Sequence, residues 1–144
     1  MAGRNVVLLV EDNPDDEELT RLAFDQSNIA NDLTVVRDGA EALDYLFASG
    51  RYAGRASDLN PQVVLLDLKL PKIDGLEVLR RIRSDPRTKL LPVVILTSSD
   101  EEQDMVRGYS LGANSYVRKP VDFGGFAEAV RQLGLYWLVL NQVP

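Results

Sequence analysis

Four consecutive large aliphatic residues, Val63-Val64-Leu65-Leu66, run directly into Asp67, and this stretch limits the possible folds more than any other. A strand with one wet face alternates apolar and polar side chains, so an unbroken apolar run reads as a strand buried on both faces of a sheet. Asp67 is then a carboxylate at the end of a core strand. An unpaired charge removed from water is costly, so Asp67 either meets solvent at the sheet edge or is compensated by a cation. A lone aspartate there could also do no more than cap the following turn.

The same pattern recurs along the chain. Asn5 to Val10 is a second apolar run, ending in Glu11-Asp12, and Pro14 followed by acids starts a helix that extends to Gln26. Leu19, Leu22, Ala23 and Phe24 supply its apolar stripe. Leu33–Val36 reads as a short strand, and Asp38-Gly39 turns the chain into a helix over Ala40–Ala48 with Ala42, Leu43, Leu46 and Phe47 inward. Ser49–Asn60 is longer than most connections in such units, which makes it a surface insertion or a partner-contacting element.

After Asp67, the turn-rich Pro71–Gly75 leads into a helix over Leu76–Ser84, ended by Pro86. Pro92–Ser99 is a third buried strand, ending in hydroxyls. A capping box, Ser98 with Glu101 or Ser99 with Glu102, opens a helix that reaches Leu111 and stops at Gly112. Ser115–Pro120 is a final strand ending in Lys119, and Phe123–Leu140 is a helix with Phe126, Val130, Leu133 and Trp137 inward. Its last turns, Leu135 to Leu140, are apolar almost all round. Five strands alternating with five helices predict an α/β fold, a doubly wound parallel sheet between helix layers, as one domain over residues 1–144.

Composition narrows the chemistry. The 144 residues include no cysteine and no histidine, which removes disulfides, thiolate nucleophiles, the usual zinc ligands and every scheme built on imidazole. Carboxylates, hydroxyls, lysine and an oxygen-ligated metal remain. A net charge of −6, from 22 acids against 16 bases, opposes binding to nucleic acid or to an anionic membrane surface. No run suits a signal segment, so the expected location is cytoplasmic.

Ligands of doubly wound sheets bind outside the carboxyl ends of the strands. Glu11, Asp12, Asp67, Thr97, Ser98 and Lys119 are predicted at those ends, so they should meet in one shallow cleft. Three neighbouring carboxylates repel strongly unless they hold a cation or a proton. All-oxygen ligation favours Mg²⁺, and Mg²⁺ beside a lysine suits a phosphoryl group, with Asp67 able to act as nucleophile.

Glu11-Asp12, Asp67 with Pro71 and Gly75 behind it, Thr97-Ser98, Tyr116 and Lys119-Pro120, taken in order, resemble the receiver domain of bacterial response regulators over nearly the whole chain. The resemblance implies a flavodoxin-like (βα)5 fold of strand order 2-1-3-4-5. It makes Asp67 the phosphoacceptor, in a domain that is not itself an enzyme beyond possible self-dephosphorylation. Asp12 and Asp67 would ligate Mg²⁺ directly, Glu11 through water, and the Lys69 backbone carbonyl would complete the protein ligands. Thr97 would bond a phosphoryl oxygen, Lys119 would pair with the phosphoryl group or Asp67, and Tyr116 would move inward with Thr97 as a switch. Lys69 and Ser99 stand where receivers tune acyl phosphate hydrolysis.

The resemblance further implies a sensor histidine kinase as partner, no output domain, and signalling through the fourth helix, fifth strand and fifth helix. The loop Ser49–Asn60 and the ending Gly134–Leu138 look like single-domain regulators that partner phytochrome-type kinases and dimerise through the fourth helix, fifth strand and fifth helix together with an extended last helix. The Lys119-Pro120 bond is cis in relatives. Glu11 departs from the family, standing where many receivers have aspartate; its longer reach implies altered metal affinity. Three other readings share features with this one. A flavodoxin-like cofactor binder lacks its phosphate loop here, an aspartyl-phosphate phosphatase lacks a second acid at Lys69, and a receiver-like interaction module acting without phosphorylation is the alternative.

Overall fold

The structure is a computed structural model that describes residues 6–26, 31–55, 60–98, 101–119 and 122–142, apart from the Phe123 side chain. The chain alternates strictly: β1 (Val6–Val10), α1 (Pro14–Gln26), β2 (Asp32–Val36), α2 (Gly39–Leu46), β3 (Val63–Leu66), α3 (Gly75–Ser84), β4 (Val93–Thr97), α4 (Glu102–Ser110), β5 (Ser115–Arg118) and α5 (Phe123–Gly134). All strands pair in parallel, in the order β2-β1-β3-β4-β5. This is the flavodoxin-like doubly wound architecture that the alternation and the resemblance predict.

The apolar runs explain both faces. Leu8, Val10, Val64, Leu66, Val93 and Ile95 pack with α2 and α3, while Val7, Leu9, Val63, Leu65, Val94 and Leu96 pack with α1 and α5. Because successive side chains point to opposite faces, a strand wet on neither face must be apolar throughout. Burying each such side chain contributes about 1.5–3 kcal/mol before the entropy of ordering is counted.

Close backbone approaches seat the loop that follows Asp67. A side chain on Gly75 would run into the carbonyl of Asp67, and one on Gly39 into that of Ile73. Asp38 and Asp74 cap α2 and α3 by accepting from the amides of Glu41 and Glu77. At the opposite sheet end, half-buried Arg83 donates to the carbonyls of Gly112, Lys89 and Leu91 and to Asn114 Oδ1.

Several expectations are corrected. Leu22 is 38% exposed; buried Thr20 takes that place on the α1 face, its hydroxyl satisfied by the Asp16 carbonyl. The capping box at Ser98 does not form, since α4 starts one turn later with Glu101 at its N-cap and no side-chain capping bond. Ser99 and the Lys119-Pro120 bond lie outside the described residues. The second helix stops at Leu46, where Ala48 takes a left-handed φ of 52°. The last helix is α-helical only to Gly134, then widens to a π-helix over Leu135–Leu140. That widening buries Trp137 and Leu138 and leaves Leu135, Tyr136, Val139 and Leu140 exposed.

Part of the long loop is a structural cap. Gly50–Tyr52 forms a 3-10 turn, Arg55 donates to the carbonyls of Tyr45 and Leu46 at the end of α2, and Tyr52 and Arg51 both donate to Glu41. Residues 56–59 lie outside the description.

Candidate phosphoryl and metal site at the carboxyl edge

The sheet ladder runs one residue past the strands and so fixes where the polar groups emerge. The Glu11 amide donates to the Val36 carbonyl, the Asp67 amide to that of Val10, and the Lys119 amide to that of Thr97. Glu11, Asp67 and Lys119 are thereby held at one edge by main-chain bonds. Asp12 follows directly, and one carboxylate oxygen from each of Glu11, Asp12 and Asp67 lies within 4.8 Å of the others.

Lys119 sits at the centre, its side chain only 6% exposed. Its Nζ donates to Glu11 Oε1 at 2.5 Å, Asp16 Oδ2 at 2.8 Å and Asp67 Oδ2 at 3.0 Å. Asp67 Oδ1 accepts from the buried Thr97 hydroxyl at 2.8 Å and from the Lys69 amide at 3.3 Å. Asp12 is exposed and has no hydrogen bond or ion pair among the described residues.

One cation cannot neutralise three acids, and the pKa shifts follow from that shortage. Burial pushes the Glu11 carboxyl up to about 7, against the opposing pull of Lys119 and with added repulsion from Asp67. Burial also works against ionised Asp67, but the charge of Lys119 and the Thr97 hydrogen bond outweigh it and hold Asp67 below its ordinary value. For Lys119, burial is outweighed by bonds to Asp16 and Glu11 and by the charge of Asp67, so its pKa rises. Asp67 thus stays ionised while Glu11 shares in the proton balance.

The three carboxylates fit a hard divalent cation. Such ions take oxygen ligands and tolerate retained waters, and exposed Asp12 gives them a carboxylate with no lysine on it. Bound there, the cation would supply positive charge to phosphoryl oxygens.

Five of the residues predicted at the strand ends therefore meet: Glu11, Asp12, Asp67, Thr97 and Lys119. Ser98 does not, being exposed and without a hydrogen bond among the described residues. Tyr116 lies half-buried on β5, in register with Ile95 and packed on the α3 side of the core facing Gly108. Asp16 is a site residue that the sequence did not disclose. An acid in a first helical turn is favoured by the helix dipole whatever lies nearby, so its type carried no signal; its place beside Lys119 did not show in spacing.

Residues 7–131 match the response regulator receiver domain family. The probable methanogenesis regulatory protein FilR2 of Methanothrix harundinacea is 41% identical over 96% of this chain and 87% of its own length. Response regulator Rcp1 of Synechocystis is 37% identical over 96% of this chain and 92% of its own; a crystal structure of its Mn²⁺-bound form superposes with a TM-score of 0.90 over 97% of this chain and 99% of that one, at 36% identity. The phosphorylated cyanobacterial phytochrome response regulator RcpA superposes with a TM-score of 0.92 over 99% of both chains, at 38% identity. With this fold and this acid site, the chain belongs to the receiver domains of two-component response regulators and resembles their phytochrome-associated members.

Proposed function

We propose that the protein accepts a phosphoryl group on Asp67 from a sensor histidine kinase, in a Mg²⁺-dependent reaction. The observation that carries this reading is Asp67 itself: held ionised, bonded by Thr97 and Lys119 on separate oxygens, and within 4.8 Å of the Glu11 and Asp12 carboxylates. Mg²⁺ would be held by Asp12, Asp67, the Lys69 carbonyl and, through water, Glu11. It would neutralise phosphoryl charge.

In the transfer, an Asp67 oxygen forms a bond to phosphorus as the bond to the phosphohistidine nitrogen breaks. The electron pair returns to the imidazole, and no proton need move on this chain. Lys119 follows the developing charge and keeps water from Asp67, while the Thr97 hydroxyl turns from Oδ1 to a phosphoryl oxygen. Tyr116 then follows Thr97 inward and alters the surface of α4, β5 and α5, where Met105, Val106 and Tyr109 are exposed. Water attack on the acyl phosphate resets the domain.

The reading includes a single receiver domain in the cytoplasm, a phytochrome-type kinase as partner and a homodimer through the last helix. The likeness to RcpA supports the kinase type. No helix among the described residues is long and apolar enough to cross a membrane.

The test is intact-protein mass after incubation with Mg²⁺ and a small phosphoramidate donor. A single phosphoryl adduct is expected on the parent chain and none on Asp67→Asn. Equal labelling of both would overturn the site assignment, and no adduct on either would favour a module that acts without phosphorylation.

A further inference from the structure

Lys69 brings an ammonium group to within two residues of the acid cluster, and the structure shows what keeps it away. Its Nζ pairs at 3.7 Å with Asp104 Oδ2. The two partners differ sharply: the Lys69 side chain is 67% exposed, whereas that of Asp104, in the first turn of α4, is 10% exposed. A nearly buried carboxylate on a helix thus pairs with an exposed cation on a loop. Both residues line a groove of about 390 Å³ whose walls also include Asp12 and Arg107.

Asp12 stands out in that groove. Glu11 and Asp67 already accept from Lys119, and Asp12 does not. It is therefore the carboxylate on which an arriving divalent cation finds no competing ammonium. Lys69 lines the same groove and can compete for it, since an ammonium is a compact charge on a flexible four-carbon stem that pairs wherever a carboxylate is in reach.

We infer that Asp104 is a positioning residue for the metal: by holding Lys69 across the groove, it keeps Asp12 open to a divalent cation. The inference rests on the metal reading above but assigns a role to α4 that the ligand set does not contain. Metal occupancy and the start of α4 are then linked, because any shift of the first turn of α4 that breaks the ion pair releases a cation toward Asp12.

The experiment is a Mn²⁺ titration, read by the loss of the free-ion electron paramagnetic resonance signal, on the parent chain, Asp104→Asn, Lys69→Ala and the double variant. Asp104→Asn is expected to weaken Mn²⁺ binding by up to about fivefold, the range open to a partly exposed ion pair. In the Lys69→Ala background the same change is expected to have little effect, and Asp104→Glu restores parental affinity. An equal loss in both backgrounds would mean that Asp104 acts by its own charge, and no loss in either would remove its role; each overturns the inference. Where Asp104→Asn does not fold, Asp104→Ser in the same two backgrounds makes the same comparison. Several-fold tightening in Lys69→Ala alone would show Lys69 already on Asp12 and would overturn the inference too. Failure of the parent chain to bind Mn²⁺ would overturn the metal reading itself, and so both.

Discussion

Glu11 is the residue whose burial beside the site has the clearest measurable consequence. Its folded pKa of about 7 lies above the ordinary 4.5, so between those values the folded state binds more protons than the unfolded chain. Stability then falls as pH rises through that window and is fully present only below about 4.5. The size is on the order of 3 kcal/mol for a shift of this magnitude. Metal-free protein, melted in chelator at steps from pH 5 to 8, is expected to lose stability steadily up to about pH 7 and then level off, and Glu11→Gln is expected to flatten the curve. A parental profile that rises with pH would refute the assignment. Asp67 works in the opposite sense: its lowered pKa gives stability that is lost only as pH falls below the carboxylate range. The types and order of Glu11, Asp12, Asp67, Thr97 and Lys119 were legible in the sequence, because each stands at a predicted strand end, all but Lys119 behind an apolar run. The Lys119 bond to Asp16 was not, because it joins residues from different elements through space.

Element boundaries were legible wherever a local signal determined them and not where tertiary packing did. Asp38 and Asp74 fall in turns that the sequence marked and cap the helices that follow, whereas Ser98, read as a cap, is not one, because β4 delivers it to solvent while α4 begins only after Glu101. Arg83 shows the limit most clearly. In a helical sequence it is an ordinary solvated arginine, yet burial lowers its pKa and its guanidinium closes three carbonyls and Asn114 at the sheet end away from the acids. Replacing it with methionine keeps the apolar stem but leaves those carbonyls without their donor, a loss of about 2–3 kcal/mol for bonds to a charged group. Urea unfolding is expected to show that loss while Mn²⁺ affinity stays unchanged, since the clamp and the acid site stand at opposite sheet ends. A parallel fall in metal affinity would mean that the two ends are coupled.

The molecule as a whole is polarised along its strands. Acids gather at the carboxyl edge, whereas the π-helical end that follows α5 places Tyr136 and Trp137 beside Leu90 and Pro92 at the amino edge, with Leu135, Val139 and Leu140 exposed on the same turns. The sequence left two explanations for that apolar end, core packing or an interface, and the structure divides the residues between them. Trp137 and Leu138 belong to the core, so truncation at Gly134 would damage the fold and leave its effect on association ambiguous. Tyr136 stacks edge-on against Trp137, but the more exposed Val139 and Leu140 can be changed without touching the core. Val139→Glu with Leu140→Glu places two charges on the face that a self-pairing last helix would have to desolvate, which is costly for an unpaired carboxylate. If two copies meet there, light scattering is expected to give a dimer for the parent chain and a monomer for the double variant, at unchanged melting temperature. Because the interface lies away from Asp67, the phosphoryl adduct should form on both. A parent that is monomeric at all concentrations would end the dimer reading. A variant that stays dimeric would move the interface to another surface, with Met105, Val106 and Tyr109 of α4 the next exposed apolar group to test.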